Sequence, residues 1–466
     1  MAADIALLID FGSTYTKVTA IDLESEELVG RTQSPTTVAT DIMVGLRRAL
    51  DQLDSSTGLK TDQMETRLAC SSAAGGLRMA AIGLVPELTA EAAKQAALGA
   101  GAKLISVHSY ALTSRDVRQL EASAPDLILL AGGTDGGNSD FILRNASALA
   151  GSTLRAPIVV AGNRSASDEV EAILKERGKE AILTENVLPG LDRLNVEPAR
   201  GTIRELFMRR IVHAKGLRGA EGFVGNILMP TPMAVLQAAQ LLADGTKEET
   251  GLGELLLVDV GGATTDVHSI GDGRPRREGV VLRGIPEPHA KRTVEGDLGI
   301  RYNATTIVET VGKEALLRHA ELEGSTMTLE TAVQARTTST EMVPEDGAGL
   351  ALDVGLARAA TEVAVRRHAG FLEAAYTPCG RVDIQHGKDL TEIRCLVGTG
   401  GIFAWGSAPR RVLEAALYDP QDPLSLRPKN PEIYADGPYI LYALGLLANL
   451  APSKALRVAK RHLRPV

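Results

Sequence analysis

The sequence predicts an α/β protein made of two related halves, with a further parallel α/β unit set into the first half. Three observations carry this expectation. A strand–turn–strand stretch occurs twice, at residues 7–21 and 256–270, and the copies align without a gap at an offset of 249 residues. Between the copies, strand-like and helix-like segments alternate, the pattern of a parallel sheet covered on both faces. Glycine is abundant, with 47 among 466 residues, as tight turns and close backbone approaches require.

Composition narrows the functional classes. Apolar residues make up 44% and charged residues 23%, the balance of a soluble globular chain, and the length suggests about three domain-sized units. The net charge of -8 gives no reason to expect nucleic acid as a partner. Cys70, Cys379 and Cys395 lie in no C-x-x-C spacing, so a zinc ribbon or disulfide framework is not expected and a reducing, cytoplasmic setting is. The N-terminus lacks a basic region followed by a long apolar stretch, so a signal peptide is not expected. The apolar stretch 439–450 is too short to span a bilayer and reads as a buried helix, so no membrane partner is expected.

In chain order, residues 5–11 and 15–22 read as two strands joined by a tight turn, and 41–53 as a helix. Residues 66–77 read as a strand running into a Gly-rich turn. The alternation then begins: helix 89–101, strand 103–110, helix 113–123 behind a Thr N-cap, strands 125–133 and 156–162, helix 165–178 and strand 179–187. These imply an inserted flavodoxin-like unit over 86–189, leaving 1–85 and 190–229 for the first half. Residues 230–245 are helical and 246–253 a polar linker. The second half, 230–466, contains the second hairpin, a mostly helical insertion over about 303–370, and a strand with a Gly-rich turn over 392–404. The basic tail, 453–466, reads as a solvated helical end.

The two turns share a chemistry. Gly12 and Gly261 let the backbone approach a ligand closely. Backbone amides and the hydroxyls of Ser13, Thr14, Thr16, Thr264 and Thr265 are donors suited to phosphate oxygens, and Lys17 either reaches a phosphate or faces solvent. Asp10 and Asp259 cannot donate. Beside phosphate they make sense with a hard cation between, so they imply Mg²⁺, held through its waters. Asp266 closes the second turn as a candidate base or metal-linked acid.

These residues resemble the phosphate motifs of the actin, sugar-kinase and Hsp70 superfamily of ATPases. The first motif is matched by Asp10, Gly12, Ser13, Thr14, Tyr15 and Thr16, and the second by Asp259, Gly261, Gly262, Thr264, Thr265 and Asp266. Gly398, Thr399, Gly400 and Gly401 look like the superfamily's adenosine motif, and residues 230–239 like its first connecting helix. The resemblance implies a two-lobed actin-like ATPase with duplicated ribonuclease H-like domains. ATP or ADP with Mg²⁺ would lie in the cleft, with Asp10, Asp259 and Asp266 as the candidate catalytic acids. Met229 stands where Hsp70-like members usually carry an acid, which favours binding over fast hydrolysis.

Three later stretches, residues 130–138, 159–164 and 292–304, are similar to the accessory protein of the adenosylcobalamin-dependent glutamate mutase system. That family is called GlmL or MutL and is distinct from the DNA-repair protein sharing the second name. The resemblance covers essentially the whole chain. It implies an ATP-dependent chaperone or reactivating factor whose partner is a cobalamin-dependent mutase.

Other features stay open at this level. Asp135 and Asn138 form part of either a ligand-facing loop or a strand-to-helix turn. Glu295, Asp297 and Arg301 either contact ligand or brace their own loop. His108 lacks the D-x-H-x-x-G context of cobalamin-binding domains and reads as a core histidine, so bound cobalamin is not expected. The rival functions are a small-molecule kinase using Asp135 or Asp266 as base, an actin-like scaffold, and an iron–sulfur activase, for which the cysteine pattern is unsuited.

Overall fold

The computed structural model describes residues 4–37, 40–72, 77–208, 218–225, 227–324, 328–378 and 380–466. Its architecture follows from two apolar strands, Ile5–Phe11 and Leu255–Val260. Ile5–Phe11 is buried along its whole length, as befits a central strand covered on both faces. On one side it pairs antiparallel with Tyr15–Asp22, which pairs antiparallel with Glu27–Pro35. On the other it runs parallel to Thr66–Ser71, which is followed by Ile227–Pro230.

Leu255–Val260 repeats this arrangement. Its neighbours are Thr265–Ile270 and then Ala290–Glu295 on the antiparallel side, and Cys395–Thr399 and then Glu432–Asp436 on the parallel side. Leu463–Pro465 adds an antiparallel edge. The internal repeat in the sequence is therefore a repeat of sheet connectivity.

A third, all-parallel sheet has the spatial order Lys103–His108, Arg78–Ile82, Leu127–Leu130, Ile158–Val160 and Ala181–Leu183. Its earliest strand, Arg78–Ile82, precedes the residue 86 expected to open the unit. The last strand is shorter than the expected 179–187, ending at Leu183. Ser114–Ser123 carries a full capping box, with Thr113 and Asp116 bonding each other's backbone amides.

The helical insertion comprises Ala304–Val311, Lys313–Ala320, Leu329–Thr338 and Gly347–His368. A small sheet of Val280–Arg283, Gly380–His386 and Phe371–Thr377 stands beside it, a feature that the sequence did not signal. The stretch 189–216 contains the helix Glu197–Leu206, while 209–217 lie outside the described residues.

The halves are fused through a shared core. Thr231–Asp244 and Leu441–Leu447 pack together between the two mixed sheets, enclosing Leu8 and Ile21 from one and Leu257 and Ile270 from the other. The apolar stretch 439–450 thus supplies a buried helix. Among the described residues no helix is long and apolar enough to cross a membrane.

The basic tail is a brace rather than a solvated end. The helix Pro452–His462 buries Ala455, Leu456, Val458 and Ala459, which presses its basic face onto the acidic turn after Tyr15–Asp22. Lys454 Nζ donates to the Leu23 carbonyl at 2.7 Å, Arg457 Nε to Glu26 at 2.8 Å, and Arg461 to Glu27 at 2.6 Å.

Candidate functional site

Both hairpin turns open into one cleft of about 490 Å³. The same local geometry recurs in each. The Gly12 amide donates to the Tyr15 carbonyl at 3.1 Å, and the Gly261 amide to the Thr264 carbonyl at 2.9 Å. A Cβ on Gly12 would stand 2.5 Å from the Tyr15 carbonyl oxygen, so the turn closes only without a side chain there. Asp10, Gly12, Ser13, Thr14, Tyr15 and Lys17 line the cleft from one half. Asp259, Gly261, Gly262, Thr264 and Asp266 line it from the other.

Strand alternation decides which predicted residues reach the cleft. Successive side chains on a strand point to opposite faces. Tyr15 and Lys17 therefore face the cleft while Thr16, between them, is fully buried and bonds the Thr36 hydroxyl at 3.2 Å. In the second hairpin Thr264 and Asp266 face the cleft, and Thr265 is buried, donating to the Leu298 carbonyl at 2.7 Å. Gly401 lines the cleft. Gly398, Thr399 and Gly400 lie behind it: Thr399 donates to Asp436 at 2.8 Å, Gly400 has φ +114°, and Gly398 sits against the Phe403 ring.

The acids at the two tips have opposite surroundings. Asp10 is fully buried and saturated. It accepts from Lys17 Nζ at 2.7 Å, from the Thr231 hydroxyl at 2.5 Å and from the Cys70 thiol at 3.6 Å. Burial opposes the Lys17 charge, but the Asp10 carboxylate and the Tyr439 and Tyr442 side chains outweigh it and raise the ammonium's pKa. Its Nζ lies 4.6 Å from the Tyr439 ring centroid. Met229, where an acid was noted as missing, is buried.

The Asp259 side chain has no hydrogen bond or ion pair with any described residue. Burial, then the charge of Asp266 directly across the hairpin, push its pKa up to about 7. Lys17 acts against the shift, and Asp10 and Asp436 add to it. Asp266 is itself clamped by Arg292 Nε at 2.8 Å and accepts from the Thr264 hydroxyl at 3.0 Å. It is therefore not a free base.

The Glu295–Arg301 region turns out to be the scaffold of the second turn. The amides of Ile300, Arg301 and Tyr302 donate to the carbonyls of Gly261 and Gly262 at 2.9–3.2 Å, and Asn303 bonds the Ala263 carbonyl at 2.8 Å. A Cβ on Gly299 would come within 2.2 Å of the Ala263 backbone, so only glycine fits. Arg301 lines the cleft and pairs with Asp353 at 2.6 Å.

Asp135 lies away from the cleft, accepting from the Arg164 amide at 3.0 Å and Asn186 at 2.9 Å. Asn138, just ahead of the following helix, accepts from the Phe141 amide at 3.3 Å. His108 stands 3.7 Å from Asp116, and burial lowers its pKa against that carboxylate's pull. Cys70 and Cys395 are buried and free, and Cys379 lies outside the described residues. No cluster of three or more metal-ligating side chains occurs among the described residues.

Thr231, Arg292, Tyr439, Trp405 and Lys103 were not anticipated as parts of the cleft, which they all line. A signal existed for Thr231 alone, which opens the helix beside the first motif.

The chain is similar to known proteins along its whole length. The family model described as "MutL protein" matches residues 6–463. "Protein MutL" of Clostridium tetanomorphum is 50% identical over 460 residues, covering 99% of each chain. Solved structures with weak overall likeness include the activator of the 2-hydroxyisocaproyl-CoA dehydratase from Clostridium difficile with bound ADPNP, at TM-score 0.32 and 10% identity over 99% of both chains. A glycerol dehydratase reactivase scores 0.36 with 12% identity, over 96% of this chain and 99% of that one. Likeness at that level carries no functional weight, whereas the full-length match in sequence does: the chain belongs to the MutL family, the family expected from its motifs.

Proposed function

We propose that the chain binds ATP or ADP with Mg²⁺ between its two hairpin turns, in an actin-like arrangement of lobes. We read it as an accessory protein, a chaperone or reactivating factor, for an adenosylcobalamin-dependent mutase such as glutamate mutase. The observation that carries this reading is the convergence of two duplicated, glycine-containing turns on one cleft. Each offers backbone amides and hydroxyls suited to phosphate oxygens. Gly401, which lines the cleft, would lie against the nucleoside.

The donor set fits a magnesium ion. Asp259 presents a carboxylate without a partner among the described residues and is the group to hold a metal-bound water. Asp10 holds Lys17 and Thr231, and its Oδ2, which among the described residues accepts from Lys17 alone, would join through a metal-bound water. The metal would neutralise phosphate charge. The strand order of the inserted sheet, 2-1-3-4-5, supports reading it as a flavodoxin-like unit.

Calorimetry with Mg·ATP and Mg·ADP tests the binding, and absence of heat with both would refute it. Co-purification with a cobalamin mutase tests the accessory role. Affinity for the mutase should differ between the two nucleotides, because a ligand with equal affinity for both states shifts nothing. A kinase reading is less well supported, since Asp135 lies outside the cleft and Asp266 is tied to Arg292. Acceptor-stimulated ATP consumption with a panel of sugars and acids would restore it.

A further inference from the structure

One turn of the inserted unit touches the supports of both hairpin tips. The helix Glu91–Gly99 has no basic residue in its last turn to meet its C-terminal carbonyls, where a cation is favoured. Arg292, from the second mixed sheet, takes that place. Its Nη1 donates to the carbonyls of Leu98 at 3.0 Å and Ala102 at 2.9 Å, while its Nε holds Asp266 at 2.8 Å. The guanidinium is nearly inaccessible to solvent, so these contacts are not diluted by water.

On the other flank, a Cβ on Gly101 would lie 2.8 Å from the Pro230 side chain, and Pro230 precedes the Thr231 that supports Asp10. Between the two flanks, Lys103 enters the cleft. Its ammonium lies beside Gly296, one residue beyond Glu295, which is paired with Thr265 at the second tip. Lys103 is exposed and makes no ion pair with any described residue. Lys103 lines the same cleft as Thr264 and Asp266 of that tip.

We propose that this turn of the inserted unit reads the terminal phosphate of the bound nucleotide: Lys103 contacts it, and Arg292, a positioning residue, carries the response of Asp266 into the end of the helix Glu91–Gly99. The inference rests on the nucleotide-binding reading above and adds how the cleft communicates with the inserted unit. A triphosphate engages Lys103 and a diphosphate does not. The helix end, held by the same guanidinium that holds Asp266, is ordered differently in the two states.

The test uses the full chain. Lys103→Met should weaken Mg·ATP binding by about ten-fold in calorimetry while changing Mg·ADP binding by less than about two-fold, the loss of one charge-assisted contact. In the wild-type protein, hydrogen exchange of amides 96–104 should be slower with saturating Mg·ATP than with Mg·ADP. Arg292→Lys should abolish that difference, whatever its effect on affinity. Equal loss of both nucleotides in Lys103→Met, no loss of either, or identical wild-type exchange in the two states would overturn the proposal. The last measurement decides even where Arg292→Lys fails to fold. If the wild-type protein binds neither nucleotide, the underlying reading falls and this one with it.

Discussion

The two hairpin tips share backbone, register and glycine placement, yet their acids are set in opposite electrostatic states. At the position across the hairpin from Asp10 stands Lys17, and across from Asp259 stands Asp266. The first pair is a buried salt bridge closed further by Thr231. The second brings two carboxylates together, leaves the Asp259 side chain without a partner among the described residues and raises its pKa to about 7. The shape of the turn is the same in both copies. A single cross-strand residue sets the tips apart: one acid is held by Lys17, and the other faces the carboxylate of Asp266.

The largest break in this comparison is expected at Lys17. Lys17→Met leaves Asp10 buried without its cation, which should cost about 3–5 kcal/mol. Urea unfolding would measure it, and a loss below about 1 kcal/mol would mean that Asp10 does not depend on the pair.

Thr231→Val removes a hydroxyl from a charged acceptor and should cost about 1.5–3 kcal/mol. It should also lower stability without altering Asp259, which the pH dependence below would reveal.

Asp259→Asn should have the opposite sign. Removing the carboxylate facing Asp266 should stabilise the protein at pH 8 by about 1 kcal/mol while weakening Mg·nucleotide binding. A destabilised Asp259→Asn would contradict an unpartnered acid at this tip.

The finest discrimination comes from pH. The Asp259 carboxyl is raised from 3.8 to about 7 in the fold. Its protonated form is therefore favoured when folded. The stability it contributes is complete below pH 3.8, declines as pH rises, and is gone above about pH 7. Asp259→Asn should flatten that part of the stability profile. Mg·nucleotide affinity should run the other way, falling by up to about ten-fold per unit below pH 7 as the ligand group protonates. An affinity unchanged between pH 6 and pH 8 would remove Asp259 from the site.

Much of this was legible in the sequence. The hairpins were visible because a run such as Ile5–Phe11 has to be apolar to lie at the centre of a sheet, and because the copy at Leu255–Val260 keeps the same pattern. The parallel alternation was visible for the same reason. The cleft's supports were not. Arg292 reads as an ordinary strand residue, and Lys103 as an exposed strand start. The role of each depends on contacts between segments 190 or more residues apart, such as that of Arg292 with Leu98 and Ala102. Thr16 and Thr265 sat in the right motifs and faced the wrong way, which the two-residue period of a strand would have revealed once the hairpin register was known. The basic tail likewise looked solvated because its acidic partners, Glu26 and Glu27, lie more than 430 positions earlier.

The linear order of residues determined the duplicated turns, the α/β class and the family, because those depend on local periodicity and on short motifs. Folding in three dimensions decided which acid is paired with a cation, which faces another carboxylate, and which turn of the inserted unit meets Arg292 and Pro230. Charge and burial are properties of neighbours in space, and the chain brings those neighbours together only when it closes.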